Sequence, residues 1–167
     1  MCTTMGTNTM SSFDGLYQKV QYEGEFVVYK QKRFTQQEVH TLYQRCSPSS
    51  SSVCLCAVMV KVGGNSLTVD KCRRSGQANA PAVPNVVFYK SEDLADGLHM
   101  YLDNGGREIK VLLPTGTVVG INMMNLRLWI LPSPLDMLNT EGLCGSYDAN
   151  KLNDAVTRDG TVMTIVN

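Results

Sequence analysis

The chain has 167 residues, 43% of them hydrophobic, and its 15 Lys+Arg cancel its 15 Asp+Glu. That length suits one domain, residues 1–167, able to bury roughly 70% of the surface its unfolded chain exposes. Neutrality argues against a nucleic-acid partner, which needs a basic field. With no apolar run near the roughly 18 residues that cross a bilayer, membrane insertion is not expected either.

Residues 1–12, MCTTMGTNTMSS, lack the apolar stretch of a signal peptide, so the chain is expected to be a module of a longer secreted precursor. From there the period is two. Strands are predicted at Gly24–Tyr29, Glu38–Tyr43, Cys56–Val62, Ser66–Cys72, Val86–Tyr89, His99–Leu102, Ile109–Leu113, Thr117–Ile121, Leu126–Leu131 and Thr161–Val166. Short β-branched runs separated by Gly, Asn, Asp and Pro turns predict an all-β protein, a sandwich of mostly antiparallel strands. The one helical candidate is Ser133–Leu138, with Ser133 as N-cap, Pro134 at the first helical position and Asp136 in the first turn. It is one or two turns at most. Gly63-Gly64-Asn65 reads as a three-residue hairpin loop, and Asn104-Gly105-Gly106 and Pro114-Thr115-Gly116 as further reversals. Ser47–Ser52 is a serine-rich tip, and 74–84 a polar loop.

Six cysteines, at 2, 46, 54, 56, 72 and 144, suggest three disulfides and an oxidising compartment. Buried free thiols are the alternative. If Val62 faces Ser66 across the hairpin loop, Cys56 lies opposite Cys72, close enough to bond. That leaves Cys46 with Cys54 across the serine tip, and Cys2 with Cys144. The last closes nearly the whole chain and is worth roughly 5 kcal/mol on the loop-entropy model, against roughly 2.6 for Cys46–Cys54. Other connectivities of six cysteines remain open.

The segment Gly142-Leu143-Cys144-Gly145-Ser146-Tyr147-Asp148-Ala149-Asn150-Lys151-Leu152-Asn153-Asp154 crowds oxygen-bearing side chains around a cysteine. Such a loop can wrap a hard cation, or can be an Asx-rich turn that bonds its own backbone. It is not an EF-hand: counting from Asp148, the invariant glycine position is Asn153. His40 and His99 lie in separate predicted strands and read as structural. Trp129 reads as core, and Met123-Met124 as core edge or exposed patch. Cys72-Arg73-Arg74 and Lys30-Gln31-Lys32-Arg33 read as solvated strand ends, or as docking points for an acidic glycan.

Both chain ends resemble one family. Gly6-Thr7-Asn8-Thr9-Met10-Ser11-Ser12-Phe13-Asp14-Gly15 is similar to the G-D-P-H-Y-x-T-F-D-G start of von Willebrand factor type D domains. Gly142–Asp154 is similar to their closing G-L-C-G-N-Y-[ND]-x-N-x-x-[DN]-D. The Cys54-x-Cys56 doublet and Gly24–Lys30 look closest to the branch found with EGF-like domains. Thr7, Asn8 and Thr9 replace the Asp-Pro-His that can self-cleave, and Glu141 and Phe26 stand where the family has a cysteine pair, so no C-x-x-C exchange motif remains.

The resemblance implies a calcium ion held by Asp14, Asp148, Asn153 and Asp154 side chains and the Asn150 backbone carbonyl, with Ser146 where the family often has Asn. It implies a non-catalytic, extracellular structural or interaction module of a secreted or matrix protein, serving adhesion or assembly. Its partners would be a protein or neighbouring extracellular domains, and the fragment itself a monomer. Two other readings stand beside it: a metal-dependent extracellular hydrolase using Asp148 or Asp154, and a lipid- or lipoprotein-associated domain.

Overall fold

The computed structural model describes residues 1–5, 7–91, 97–154 and 164–165. Fourteen strands are described: β1 (Cys2–Met5), β2 (Thr9–Ser11), β3 (Tyr17–Lys19), β4 (Gly24–Gln31), β5 (Gln37–Arg45), β6 (Val53–Val62), β7 (Asn65–Asp70), β8 (Asn85–Tyr89), β9 (His99–Asp103), β10 (Glu108–Leu112), β11 (Val118–Asn122), β12 (Leu128–Leu131), β13 (Thr140–Glu141) and β14 (Thr164–Ile165). They form two antiparallel sheets, one of eight strands ordered β14-β3-β2-β1-β12-β11-β10-β9 and one of six ordered β13-β4-β5-β6-β7-β8. The all-β sandwich expected from the sequence is the fold.

The core follows from the alternation. Val58, Val60 and Val62 of β6 point inward with Leu67 and Val69 of β7, and Val111, Val119, Ile121 and Ile130 face them from the eight-stranded sheet; all are buried. Each such side chain is worth roughly 1.5–3 kcal/mol when withdrawn from water.

Several expectations are corrected. Strands β1, β2, β3 and β13 carry no apolar run and were not expected; β1 is specified by long-range pairing, with Cys2 facing Ile130 and Thr3 facing Trp129. The β6–β7 loop has two residues, not three: Val62 pairs with Asn65 and Lys61 with Ser66. Type I′ and II′ two-residue loops match strand twist, which favours the shorter form. Ser133–Leu138 is a single 3-10 turn, Pro134–Asp136. Trp129 is not core. It sits on the outer face between inward-pointing Leu128 and Ile130, directly opposite Gly120, where an added Cβ would fall 2.0 Å from the indole. Lys110 lies over its ring at 5.7 Å, and its Nε1 donates to Glu108 at 3.0 Å. Met124 is exposed while Met123 packs on the core. Of the predicted final strand, residues 161–163 and 166 lie outside the described residues, as does Gly6 of the opening motif.

Three disulfides brace the sandwich: Cys2–Cys144, Cys46–Cys54 and Cys56–Cys72, with Cα separations of 5.5, 4.9 and 4.6 Å. Cys56 and Cys72 meet although the register is shifted by one residue. The strand β7 ends at Asp70, whose carboxylate accepts the Cys72 N–H at 2.7 Å and curls the chain toward Cys56.

Candidate metal centre

After β13 the chain continues along the edge of β4 by two backbone bonds, Leu143 N–H to Val27 O at 3.0 Å and Cys144 N–H to Val28 O at 2.7 Å. Leu143 and Cys144 are thereby buried. The Phe13-Asp14-Gly15 turn docks on this segment: the Phe13 N–H donates to Cys144 O at 2.9 Å, and the Phe13 ring packs against Tyr29 and Tyr147. The Cys2–Cys144 bond holds the same point covalently.

This docking brings Asp14 to the closing loop. Its Oδ2 accepts the N–H groups of Asp148 at 3.2 Å and Asn150 at 3.1 Å. Asp148 Oδ1 accepts from Asn150 N–H at 2.9 Å, and its Oδ2 from the Asn153 side-chain amide at 2.9 Å. These bonds, the Asn153 amide first, hold the Asp148 carboxyl below the usual carboxylate range. Asn150 caps the 3-10 turn Lys151–Asn153 through Oδ1, which accepts from Leu152 N–H at 3.2 Å.

Asp154 lies behind this shell, 1% exposed. Its carboxylate takes the Ser12 hydroxyl and, at 3.0 Å, the Ser146 N–H. Burial, with the charges of Asp14 and Asp148 beside it, pushes its pKa up. Gly145 makes this approach possible: at φ +79° it adopts a backbone that L side chains rarely take, and a Cβ there would fall 2.0 Å from Asp154 Oδ1.

Five of the six residues singled out from the sequence lie on the closing loop, and Asp14 reaches it from the Phe13-Asp14-Gly15 turn. Asp14, Asp148, Asn150 and Asn153 are linked side chain to backbone or amide, and Asp154 is reached through Ser146. Among the described residues, however, no three Asp, Glu, His or Cys side chains converge closely enough to hold a metal as they stand. The donor chemistry nevertheless fits a hard cation: all the candidate groups offer oxygen, and a carboxylate oxygen that accepts one N–H keeps a second lone pair. None of the three aspartates forms a salt bridge with a Lys or Arg among the described residues.

No histidine lies at this loop. His40 sits on β5 with Nδ1 2.7 Å from Glu25 and Nε2 2.7 Å from Glu38, and His99 is exposed on β9. Glu141 faces Lys30, 3.6 Å away, whereas Phe26 packs on Tyr43, so these two positions do not face each other here.

A second acidic centre escaped the sequence reading. Asp136, fully buried, accepts from Tyr29 Oη at 2.8 Å, Gln31 Nε2 at 2.9 Å, Ser133 N–H at 3.0 Å and the Thr117 hydroxyl. Gln37, also fully buried, extends the network by donating to Tyr29 Oη and Thr115 Oγ1, both at 2.6 Å. The one available signal was Asp136 in the first turn after Ser133-Pro134. Its other partners come from β4 and from the end of the β10–β11 turn, far away in sequence.

The von Willebrand factor type D domain model matches residues 2–161. That span takes in the Cys2–Cys144 brace, the Phe13-Asp14-Gly15 turn and the closing loop through Asp154, and the chain therefore belongs to the von Willebrand factor type D domain family.

Proposed function

We propose that this domain is a calcium- and disulfide-braced, non-catalytic module of a larger secreted protein, presenting loops and sheet surface to a protein partner or neighbouring domains in adhesion or assembly. Domains of this family occur in extracellular proteins and are generally non-catalytic structural modules. The observation that carries the reading is the meeting of the two chain ends. Cys2 is bonded to Cys144, and Asp14 is bonded to the backbone of Asp148 and Asn150.

In this reading Asp14, Asp148 and Asp154 bind through carboxylates, Asn153 through its amide oxygen and Asn150 through its carbonyl. The Ser146 hydroxyl, or a water in its place, completes the set. Bound calcium would neutralise three clustered carboxylates and tie the Phe13-Asp14-Gly15 turn to the loop. The chain's own residues supply the rest: Gly145 admits the Asp154 carboxylate, Ser12 orients it, and the disulfide limits how far the two ends can separate.

The test is a thermal melt in calcium and in EDTA. Binding to the folded state raises the midpoint by mass action, about 2.7 kcal/mol of stabilisation at a hundredfold excess over Kd. An unchanged midpoint, with no metal by elemental analysis, would contradict the calcium claim.

One observation favours a lipid-associated role as a second reading. At the open edge of the sandwich, Val86, Val87, Phe88 and Tyr89 of β8 and Tyr101 and Leu102 of β9 are all exposed. Flotation with phosphatidylcholine vesicles tests it; a protein that stays at the bottom of the gradient rules it out.

A further inference from the structure

The end of the six-stranded sheet where β5 turns into β6 carries two open grooves, of ≈ 480 Å³ and ≈ 160 Å³, that share Gln44 and Arg73. Four cations line them: Arg45, Lys71, Arg73 and Arg74. Not one of the chain's 15 acidic residues is among the lining side chains, although the molecule as a whole is neutral. The larger volume is that of an ordinary ligand site.

Two of these cations, Lys71 and Arg73, are held in place. The Arg73 backbone N–H donates to Gln44 Oε1 at 2.5 Å, and its Nη2 donates to Arg45 O at 2.6 Å. Lys71 Nζ donates to Met124 O at 2.8 Å. The Cys46–Cys54 and Cys56–Cys72 disulfides flank the smaller groove and limit the movement of its walls. Arg74 is exposed and, among the described residues, has no acidic partner; Arg45 is partnered by Glu23, which accepts its backbone N–H at 2.7 Å and lies 4.0 Å from its Nε. Lys32 and Arg33 of the other basic run line neither groove. There Lys30 lies 3.4 Å from Glu38 and 3.6 Å from Glu141, and Gln31 belongs to the Asp136 network.

We propose that this groove binds a sulfated polysaccharide of the glycosaminoglycan class. Guanidinium forks match sulfate oxygens in pairs, and a cluster of cations, two of them fixed, suits a polyanion. No aromatic side chain lines either groove, which leaves no stacking platform for single-stranded nucleic acid. The proposal rests on the extracellular reading above, since such polysaccharides are met outside the cell.

The experiment is surface plasmon resonance on immobilised heparin in EDTA, so that the fate of the calcium reading does not enter. Wild-type protein should bind heparin, lose binding as salt rises, and bind completely desulfated heparin far more weakly. The double variant Lys71→Gln, Arg74→Glu should weaken binding about tenfold or more. Arg73→Lys, which keeps the charge and loses the fork, should weaken it to a smaller degree. Lys32→Glu with Arg33→Glu should leave it unchanged. Circular dichroism and melting curves check that each variant is folded; Arg74→Glu alone, at an exposed side chain, serves if the double variant is not. The proposal is overturned if folded groove variants bind like wild type, if the Lys32/Arg33 control loses as much, or if desulfated heparin, polyuridylate or phosphatidylserine vesicles bind as tightly as heparin.

Discussion

Asp136 and Asp148 are both aspartates held by hydrogen bonds, and they sit in opposite situations. Asp136 is sealed between the sheets, where four protein donors from β4, the β10–β11 turn and its own 3-10 turn meet its two oxygens. Asp148 stands at the surface with Asp14 next to it and Asp154 behind, and its donors are local amides. A carboxylate surrounded by donors is complete within the protein and buries well. Asp14, Asp148 and Asp154 bring three carboxylates together with no basic side chain bonded to them among the described residues, and burial first, then the neighbouring charges, raises the pKa of Asp154. The first cluster is architecture. The second has oxygen to offer a cation.

Variants separate the two. The largest effect is expected from removing the brace: Cys2→Ser with Cys144→Ser should lower stability by roughly 5 kcal/mol on the loop-entropy model, read by urea denaturation. Asp136→Ala should come next, at about 3 kcal/mol, because Tyr29, Gln31, Thr117 and the Ser133 N–H all lose their acceptor. Its loss should be the same in calcium and in EDTA. Gly145→Ala should lower stability by about 2 kcal/mol through backbone strain and the collision with Asp154, and should also remove the calcium-dependent shift of the midpoint.

Asp14→Asn with Asp148→Asn inverts the pattern of Asp136→Ala. In EDTA it should change stability little, because each group bonds only backbone and amide donors beside open solvent and the amide oxygens of Asn can still accept. In calcium it should fail to gain what wild type gains.

The smallest effect concerns acid. Burial pushes the Glu38 carboxyl up, but the hydrogen bond and charge of His40 and the ammonium of Lys30 more than offset it and hold the pKa below the usual value. A depressed folded-state pKa contributes stability above the unfolded value and loses it as pH falls through the folded one. Glu38→Gln should therefore lower stability slightly at neutral pH, leave it nearly unchanged in acid below the folded pKa, and so flatten that part of the acid limb.

Much of this could be read from the chain. Wherever hydrophobic residues alternate over five or more positions, as in β5, β6 and β7, side-chain alternation specifies strand and face together. The cysteine pairing followed from one hairpin even though its register was off by a residue, because Asp70 turns the chain after β7 and absorbs the slip. What could not be read depends on residues far apart. The strands β1, β2 and β3 hold Thr, Ser and Gln rather than apolar runs, and become strands by pairing with one another and with β12. Trp129 looks like core until Gly120 is found opposite it. Asp136 looks like a first-turn acid of a short helix until Tyr29 and Gln31, more than a hundred residues earlier, reach it. At the closing loop the residue types were legible, while the hydrogen bonds that place Asp14 on the backbone of Asp148 and Asn150 needed the fold.

The central claim is that the second cluster takes a cation and the first does not. Isothermal titration of calcium into the metal-free protein tests it directly, with wild type, Asp136→Asn and the Asp14→Asn, Asp148→Asn pair in parallel. The account predicts one saturable site in wild type and in Asp136→Asn, and none in the pair. No binding heat in folded wild-type protein, or equal binding by the pair, would contradict it.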